Sequence, residues 1–443
     1  MSVRDPTEDH AFMANTATPK TYDVGIIGAG IAGCSTAFYL ARRGVRVAVF
    51  DRGPVAGEQS SRAWGFIRKQ GRHPAEIPLA AEASVLWDEI TEEFGFESTQ
   101  RVKSGILMPA ETTEDEEVVE TSYADAQTHG LTSEILDARA LKRKLPELAG
   151  NWRCALFTRD DGHGDSKLST LTLARAAKAA GAEFFNNEVV IGFTRSSDRV
   201  SGIRTLRNTY QCAKMVVASG IGSRSLLARL GYNLPVQNIR SSVGLTTATT
   251  PFTQIAMWAP TTAYRPRPDG SFIIGNGYRN AGTDYDLTLQ AFTNLRYFLP
   301  ALKQNQGLLR IGVGRDTIRS LRDLLPGKGK HSPLSEPATN IAKVKQNLAE
   351  FCALFPHIND LRLADSWAGR IDTTPDLIPV IDRLAGYDNV YALCGFSGHG
   401  FALGPVVGKQ MSNWIIDGAP ALDLSKFKSS RFADGDYEII KAA

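Results

Sequence analysis

The stretch Tyr22-Asp-Val-Gly-Ile-Ile-Gly28-Ala-Gly30-Ile-Ala-Gly33, with the acidic Asp51 beyond it, decides the fold of this chain. Its first part, Tyr22–Ile27, is a short apolar run that predicts a buried parallel strand. Ile31–Arg43 then predicts a helix, and Val45–Phe50 predicts a second buried strand. This order of strand, glycine turn, helix, strand and acidic residue indicates a βαβ unit that binds a dinucleotide.

Each glycine of the turn has its own physical role. Gly28 permits the tight turn, Gly30 lets the backbone approach a pyrophosphate, and Gly33 lets the helix pack closely on the strand. The helix N-terminus offers unpaired N–H groups and a positive dipole end to the phosphates. Asp51 is placed to accept hydrogen bonds from the adenosine ribose. The residues expected at the cofactor are therefore Gly28, Ala29, Gly30, Ile31, Ala32, Gly33 and Asp51.

A second glycine-rich turn lies near the other end of the chain, in Gly395-Phe-Ser-Gly-His-Gly-Phe-Ala-Leu-Gly-Pro405. If the two turns fold side by side, they hold a cofactor at both of its ends. A long flavin dinucleotide needs such a hold, whereas a nicotinamide dinucleotide usually does not. The pair of turns therefore predicts a flavoenzyme.

The composition excludes several classes of protein. The 443 residues are 43% hydrophobic and 22% charged, and the formal net charge of +3 is too small to indicate a nucleic-acid partner. No apolar run approaches the roughly 20 residues that span a bilayer. Five cysteines without CxxC or Cys/His spacing predict no metal site. Residues 1–21 lack the apolar core of a signal peptide, so we expect a flexible leader on a cytoplasmic protein.

Signals for dinucleotide binding fall in three separated blocks, and the segments between them alternate like antiparallel strands. We therefore predict a fold of mixed α/β and α+β class, in which a Rossmann-like FAD-binding domain is interleaved with an antiparallel-sheet substrate domain. A polar, proline-rich stretch at 326–340 predicts an exposed loop, a candidate lid or contact surface. The predicted divisions are a leader (1–21), the FAD-binding domain (22–78, 160–235 and 365–420), the substrate domain (79–159 and 236–364) and a C-terminal tail (421–443).

From Tyr22 to Asp417 the chain resembles the D-amino acid oxidase superfamily, and most closely its sarcosine oxidase and glycine oxidase-like branch. Five groups of residues carry the resemblance: Gly28-Ala-Gly-Ile-Ala-Gly33 with Asp51-Arg52, Ser60-Ser-Arg-Ala-Trp-Gly65, Gly71-Arg72 leading to Pro78-Leu-Ala, Trp367-Ala-Gly with Thr374-Pro-Asp376, and Gly395-Phe-Ser-Gly-His-Gly400. Together these motifs are specific to the superfamily, although not to one substrate.

The resemblance implies FAD, a substrate bound over the flavin ring, and hydride transfer to flavin N5 from a carbon beside an amine nitrogen. It places one set of residues around the pyrophosphate and ribityl chain, another at the adenosine half, and the second glycine turn beneath the pyrimidine end of the flavin. The positions so implied are Arg52, Ser60, Ser61, Arg62, Ala63, Trp64 and Gly65; Val190, Ala218 and Gly220; and Gly395, Gly398, His399, Gly400 and Phe401.

The chain also departs from this branch at three positions. Where sarcosine oxidases have a lysine that holds the substrate carboxylate, this chain has Ala402, and the lysine credited with activating oxygen aligns with Ile273. A cysteine that links FAD covalently would fall near Gly369, so we expect non-covalent FAD. Arg68 does match the branch's carboxylate-binding arginine. These departures argue for a substrate bulkier than sarcosine and favour a dehydrogenase over an oxidase.

Four residues are candidates for catalysis or substrate binding, each with an alternative. Arg68 can grip a carboxylate with two parallel hydrogen bonds, or it can pair with Glu58 or Glu76. His399 can shuttle a proton or position the backbone of its turn. Arg370 can reach the substrate or pair with Asp372. Tyr264, like Tyr278 and Trp258, can form an amine-binding aromatic cage or pack in the core. No general base stands out in the sequence.

The predicted function is that of an FAD-dependent oxidoreductase acting on the C–N bond of a secondary amine or amino acid. The iminium that forms would then be hydrolysed, and O2 or another acceptor would reoxidise the flavin. Two alternatives stay open, a 2-hydroxy acid dehydrogenase and the flavin-bearing subunit of a larger electron-transfer complex. A homo-oligomer is compatible with either.

Overall fold

The computed structural model describes residues 20–196, 199–279, 283–286, 288–304, 309–315, 317–318, 336–358 and 360–439. The predicted leader and the 326–340 loop lie outside these ranges, except for residues 20–21 and 336–340. No helix in the described ranges combines the length and the apolar character needed to cross a membrane.

The described chain contains both strands and helices. The strands are β1 (Thr21–Ile27), β2 (Val47–Phe50), β3 (Phe66–Ile67), β4 (Ile106–Ala110), β5 (Ser133–Asp137), β6 (Cys154–Thr158), β7 (Gly162–His163), β8 (Glu183–Phe185), β9 (Val190–Ser196), β10 (Arg199–Thr205), β11 (Thr209–Val217), β12 (Gln237–Thr246), β13 (Ala256–Trp258), β14 (Thr262–Pro266), β15 (Phe272–Asn276), β16 (Thr283–Asp286), β17 (Leu309–Gly312), β18 (Leu363–Thr373), β19 (Val380–Arg383) and β20 (Val390–Cys394). The helices are α1 (Ile31–Arg42), α2 (Ile77–Phe94), α3 (Phe96–Thr99), α4 (Thr113–Thr128), α5 (Ala138–Lys144), α6 (Ser166–Ala179), α7 (Ser223–Ala228), α8 (Leu289–Thr293), α9 (Leu295–Gln304), α10 (Ile341–Leu354), α11 (Gly400–Asp417) and α12 (Arg431–Asp434).

The first sheet has a parallel centre in the order β8-β2-β1-β11-β20, and β19 pairs antiparallel at its edge. Every residue of β2, Val-Ala-Val-Phe, is buried, as expected for a parallel strand covered on both faces. Helices α1, α2, α6 and α11 share one hydrophobic core on this sheet. The βαβ unit read from the first glycine turn is therefore confirmed.

The second sheet is mainly antiparallel. β12 pairs with β15 and β18, β14 joins β13 to β15, and β6 lies between β4 and β5. Its core on the side of α10 contains Tyr264, Phe272, Phe351 and Phe355. The predicted fold class, a Rossmann-like unit interleaved with an antiparallel sheet, is confirmed.

Two elements lie across the divisions that we predicted from the sequence. α2 packs on the first sheet's helices, beside α1 and α11, although most of it was placed in the substrate domain. β18 pairs with β12 over most of its length and so extends the second sheet, although we placed most of it with the FAD-binding blocks. β18 also contacts Gln59–Ser61 and Gly220–Gly222, so it lies against both the second sheet and these two turns.

Candidate active site

The loops that follow β1, β2, β11 and β20 lie at one edge of the first sheet, where ligands of such folds bind. Together with the second sheet they enclose a cavity of about 900 Å³. Gly28 and Gly30 of the first glycine turn line this cavity, and so do Gly398, His399 and Gly400 of the second. The two remote turns therefore converge as predicted.

Three contacts shape the first glycine turn. Gly28 has φ of +116°, and a Cβ there would lie 2.2 Å from the carbonyl oxygen of Ala218, so glycine is required. Asp51 Oδ2 accepts a hydrogen bond from the Ala29 amide at 2.7 Å, and Ser60 Oγ accepts one from the Ile31 amide at 2.8 Å. The N-terminus of α1 is thereby fixed against the cavity, with its positive dipole end beside the space.

Most of the residues predicted at the cofactor line the cavity, and four do not. The Ala29 amide is bound by Asp51, and a Cβ on Gly33 would lie 1.9 Å from the Gly28 oxygen. Ser61 donates to the Glu58 carbonyl, and the Gly395 amide donates to Asp372. These four, predicted as contacts, instead shape the walls. The predicted residues on the lining are Gly28, Gly30, Ile31, Ala32, Asp51, Arg52, Ser60, Arg62, Ala63, Trp64, Gly65, Val190, Ala218, Gly220, Gly398, His399, Gly400 and Phe401.

Gln59 joins three distant parts of the chain at the cavity wall. Its Oε1 accepts a hydrogen bond from the Ile221 amide at 3.1 Å, and its Nε2 donates to Asp372 Oδ1 at 2.8 Å. Asp372 Oδ2 in turn accepts from the Gly395 amide at 2.6 Å. Burial raises the pKa of Asp372, and these donors oppose the rise. One amide side chain thus ties the second glycine turn to the rest of the site.

Replacing Gln59 with alanine is expected to lower the free energy of unfolding by about 2 kcal/mol and to weaken FAD binding about tenfold, because Asp372 loses a buried donor. Urea unfolding with and without FAD measures both effects. Gln59→Glu is expected to cost more, since it sets a second carboxylate against Asp372. Unchanged stability and FAD binding in Gln59→Ala would mean that the hydrogen bond to Asp372 contributes little.

Arg68 lines the cavity beside β13. Its Cζ lies 4.1 Å from the ring centroid of Trp258, and its Nη1 donates to the carbonyls of Gln70 at 2.7 Å and Gly71 at 3.0 Å. Burial, with repulsion from Arg72, lowers the pKa of Arg68 to about 9. None of the described carboxylates forms an ion pair with Arg68. The alternative pairings are not formed, because Glu58 binds Arg52 and Glu76 lies against His399.

The turn that holds Arg68 is fixed by Asp161, which is fully buried. Asp161 Oδ1 accepts from the Lys69 amide at 2.9 Å, and Oδ2 accepts from the Gln70 amide at 3.3 Å. Gly71 closes the turn with φ of +59°, and a Cβ there would lie 2.6 Å from Arg68 Nη1. The hydrogen bonds to Asp161 therefore hold the turn that positions the Arg68 guanidinium.

Replacing Asp161 with asparagine is expected to raise the KM for a carboxylate substrate about tenfold, equal to about 1.4 kcal/mol, with little change in the rate of flavin reduction at saturation. The turn loses one charged acceptor, so Arg68 becomes less ordered. Stopped-flow reduction measures both quantities. Asp160→Asn is the matched control, because Asp160 is the half-buried neighbour and accepts a hydrogen bond from Thr132 instead. An unchanged KM in Asp161→Asn would contradict this role.

His399 lies at the cavity with a buried carboxylate behind it. Its Nδ1 is 2.8 Å from Oε2 and 3.1 Å from Oε1 of Glu76, whose side chain is fully buried. Arg72 Nη1 lies 4.0 Å from the same carboxylate. Burial, with repulsion from Arg72, lowers the pKa of His399 to about 4, so the ring is neutral at neutral pH.

The two remaining candidates differ in outcome. Arg370 lines the cavity, and the Gln59 side chain and the Gly395 amide both donate to Asp372. The predicted site role of Tyr264 is wrong, because Tyr264 does not line the cavity and takes the alternative position in the core. Its ring packs edge-on to Phe351 at 5.2 Å between centroids, in the core beside α10. Because Met257 pairs with Tyr264 and Trp258 pairs with Ala263, adjacent strand positions face opposite sides of the sheet.

Several residues at the site were not predicted from the sequence. The sequence indicates Glu76 only as an alternative partner of Arg68, and Arg72 only as part of a motif. It gives no signal for Asp161 or Gln59. A charged residue that the fold buries looks like any surface charge in the sequence. By contrast, Trp258 and Tyr278, which were candidates for the aromatic cage, line the cavity.

The residues of the cavity fit a flavin dinucleotide. A Cβ on Gly30 would lie 3.1 Å from Ser60 Oγ, so the missing side chain leaves backbone open to a pyrophosphate at the α1 N-terminus. The lining runs from Val190, at the predicted adenine end, to His399 in the second turn. Among the described residues, the buried Nη1 of Arg72 has no hydrogen-bond partner, which suits an anionic or carbonyl group in the cavity.

Known proteins match the chain over nearly its whole length. A family model described as FAD dependent oxidoreductase matches residues 23–414. The N-methyl-L-tryptophan oxidase of Salmonella agona (strain SL483) is 26% identical over 421 residues, covering 93% of this chain and 99% of that protein.

Solved structures share the fold. An L-amino acid deaminase from Proteus myxofaciens in complex with anthranilate has a TM-score of 0.85 at 24% identity, covering 94% of each chain. A glycine oxidase from Geobacillus kaustophilus has a TM-score of 0.76 at 22% identity, covering 93% of this chain and 99% of that one.

The family match confirms the resemblance drawn from the glycine turns, and with it an enzyme that uses FAD. Since the model covers far more than half of the residues, this chain belongs to the family of FAD dependent oxidoreductases.

Proposed function

We propose that this protein oxidises the C–N bond of an amino acid or secondary amine that carries a carboxylate and is bulkier than sarcosine. Arg68 carries the proposal. It is a cation in the cavity wall, stacked on Trp258, without an ion-pair partner among the described residues. Burying an unpaired charge is costly, and a ligand carboxylate would offset that cost with two parallel hydrogen bonds.

The aromatic lining supports a substrate with a bulky side chain. Trp64, Trp258 and Tyr278 all line the cavity, and Trp258 meets Tyr278 edge-on at 5.8 Å between centroids. Such faces bury apolar groups and attract a cationic amine. The similar proteins, an N-methyl-L-tryptophan oxidase, an L-amino acid deaminase and a glycine oxidase, support an amine or amino acid substrate.

Bound FAD would supply the redox chemistry by accepting a hydride from the carbon beside the amine nitrogen. The protein's part is to hold both partners. Asp51 and the N-terminus of α1 would hold the adenosine and pyrophosphate, and Gly398–Gly400 would face the ring end. We also propose that FAD is held without a covalent bond to cysteine. None of the five cysteines, all in the described ranges, lines the cavity, and Gly369 there has no thiol.

The test is anaerobic reduction of the purified, FAD-loaded protein by a panel of N-methyl, cyclic and opine-like amines, with 2-hydroxy acids as the comparison. Bleaching of the flavin absorption band by a carboxylate-bearing amine is the expected result. Reduction by hydroxy acids alone would overturn the proposal. Denaturation should release the flavin into the supernatant if it is not covalently bound.

The acceptor, the location and the assembly belong to the proposal as well. We propose a dehydrogenase, as the departure at Ile273 favours, and comparing peroxide release with dye reduction separates it from an oxidase. A cytoplasmic location is supported by the five unpaired cysteines. A homo-oligomer would be found by measuring the size of the protein in solution.

A further inference from the structure

The ring of His399 has one nitrogen committed to the protein and one available to the cavity. Nδ1 faces the Glu76 carboxylate at 2.8 Å. Nε2 is at the far corner of the ring and has no hydrogen-bond partner among the described residues, while the His399 side chain is 19% exposed and lines the cavity. The hydrogen bond made by one ring nitrogen fixes which nitrogen carries the proton. The carboxylate therefore selects the Nδ1–H form and leaves a lone pair on Nε2.

The proposed oxidation of an amine requires a base with such a lone pair. An amine substrate arrives mostly as the ammonium ion at neutral pH, because alkyl amines have pKa values near those of lysine, about 10. The nitrogen must lose a proton before its electron pair can form the double bond of the iminium. A base at the cavity would supply that step.

We propose that His399 Nε2 accepts the proton of the substrate's ammonium group, and that Glu76 is the positioning residue that orients the ring and stabilises the imidazolium. The N–H bond of the substrate breaks and its electron pair stays on nitrogen, while the proton forms a bond to Nε2. No electrons pass to the protein in this step. The inference rests on the proposed function, since it needs an amine substrate.

The charges around the ring make this base depend on the substrate. Arg68 and Arg72 face His399 and disfavour the imidazolium, whereas Glu76 favours it. His73 interacts electrostatically with Glu76, and Asp161 interacts with both arginines. Burial and the two arginines hold the pKa of His399 at about 4. A substrate carboxylate on Arg68 would cancel part of the repulsion and raise that pKa, so only a ligand with both groups meets an effective base.

The first test follows the rate of flavin reduction against pH with a reducing amine found in the panel. His399→Asn is expected to lower the rate about 100-fold at pH 7, within the range of general base catalysis. The loss should shrink as the pH rises toward the pKa of the amine, because the substrate then arrives neutral. Glu76→Gln should move the acid limb of the profile to lower pH, because loss of the carboxylate charge lowers the pKa of His399 further. The rate should also fall, because the ring is no longer held in one orientation. A rate in His399→Asn that is equally reduced at every pH would overturn the proton transfer.

The second test needs no substrate. The chain has seven histidines, so nitrogen NMR of the FAD-loaded protein labelled in histidine is simple enough to assign by the signal lost in His399→Asn. A neutral ring protonated at Nδ1 is expected, with His357→Asn as a control distant from the cavity. A ring protonated at Nε2 would overturn the proposal. If no amine reduces the flavin while the Nδ1–H form is present, the proposed function fails and the Glu76–His399 geometry stands.

Discussion

Replacing Arg68 with glutamine is expected to raise the KM for a carboxylate-bearing amine by about 30- to 4000-fold, while the protein remains folded and yellow. Glutamine keeps much of the length of arginine but lacks the charge and the fork of donors. Removing one partner of a desolvated, hydrogen-bonded charge pair costs about 2–5 kcal/mol, which corresponds to that range. Anaerobic stopped-flow reduction over a range of substrate concentrations measures the change.

A matched pair of substrates makes the interpretation specific. The amide analogue of the same amine lacks the carboxylate, so the wild-type protein should bind it poorly and Arg68→Gln should affect it little. Arg68→Lys restores a charge without the bidentate geometry and should recover part of the binding. If acid and amide lose affinity equally in Arg68→Gln, the arginine supports the fold of its turn and does not bind the carboxylate.

Replacing Gly30 with valine is expected to weaken FAD binding by at least about 100-fold, or about 2.7 kcal/mol, and to yield a folded but nearly colourless protein. A Cβ at this position would lie 3.1 Å from Ser60 Oγ, and the branched side chain would extend into the space proposed for the pyrophosphate. The ratio of flavin to protein after purification, and calorimetric titration with FAD, measure the loss.

Gly53→Ala is the matched control for this prediction. Gly53 lies in the same region, just after Asp51, and a Cβ there would meet Asp51 Oδ1 at an ordinary 3.8 Å. This variant should keep its FAD, and circular dichroism should show the same fold for both variants. A Gly30→Val protein that retains stoichiometric FAD would contradict the proposed position of the pyrophosphate.

Features encoded in contiguous residues could be predicted from the sequence. The βαβ unit lies within one short stretch, where apolar runs, a glycine turn and an acidic residue follow in fixed order. The second glycine turn is equally local. Their convergence was inferred from what a long cofactor requires, and the structure places both turns on one cavity.

Features that depend on strand register could not be predicted. Tyr264 and Trp258 look alike in the sequence as aromatic residues on candidate strands. A shift of one residue in the strand register decides whether each of them faces the cavity, because successive side chains point to opposite faces of a sheet. Trp258 lies on the lining, and Tyr264 lies in the core beside α10.

The sequence by itself determined the dinucleotide-binding unit, the family and the cofactor, because backbone turns and apolar periodicity are local properties of the chain. Only the tertiary structure decided which charges meet at the site. Glu76 contacts His399 across 323 positions, and Gln59 contacts Asp372 across 313. The electrostatic effect of such a charge depends on burial and on its neighbours, and both are set when distant segments fold together.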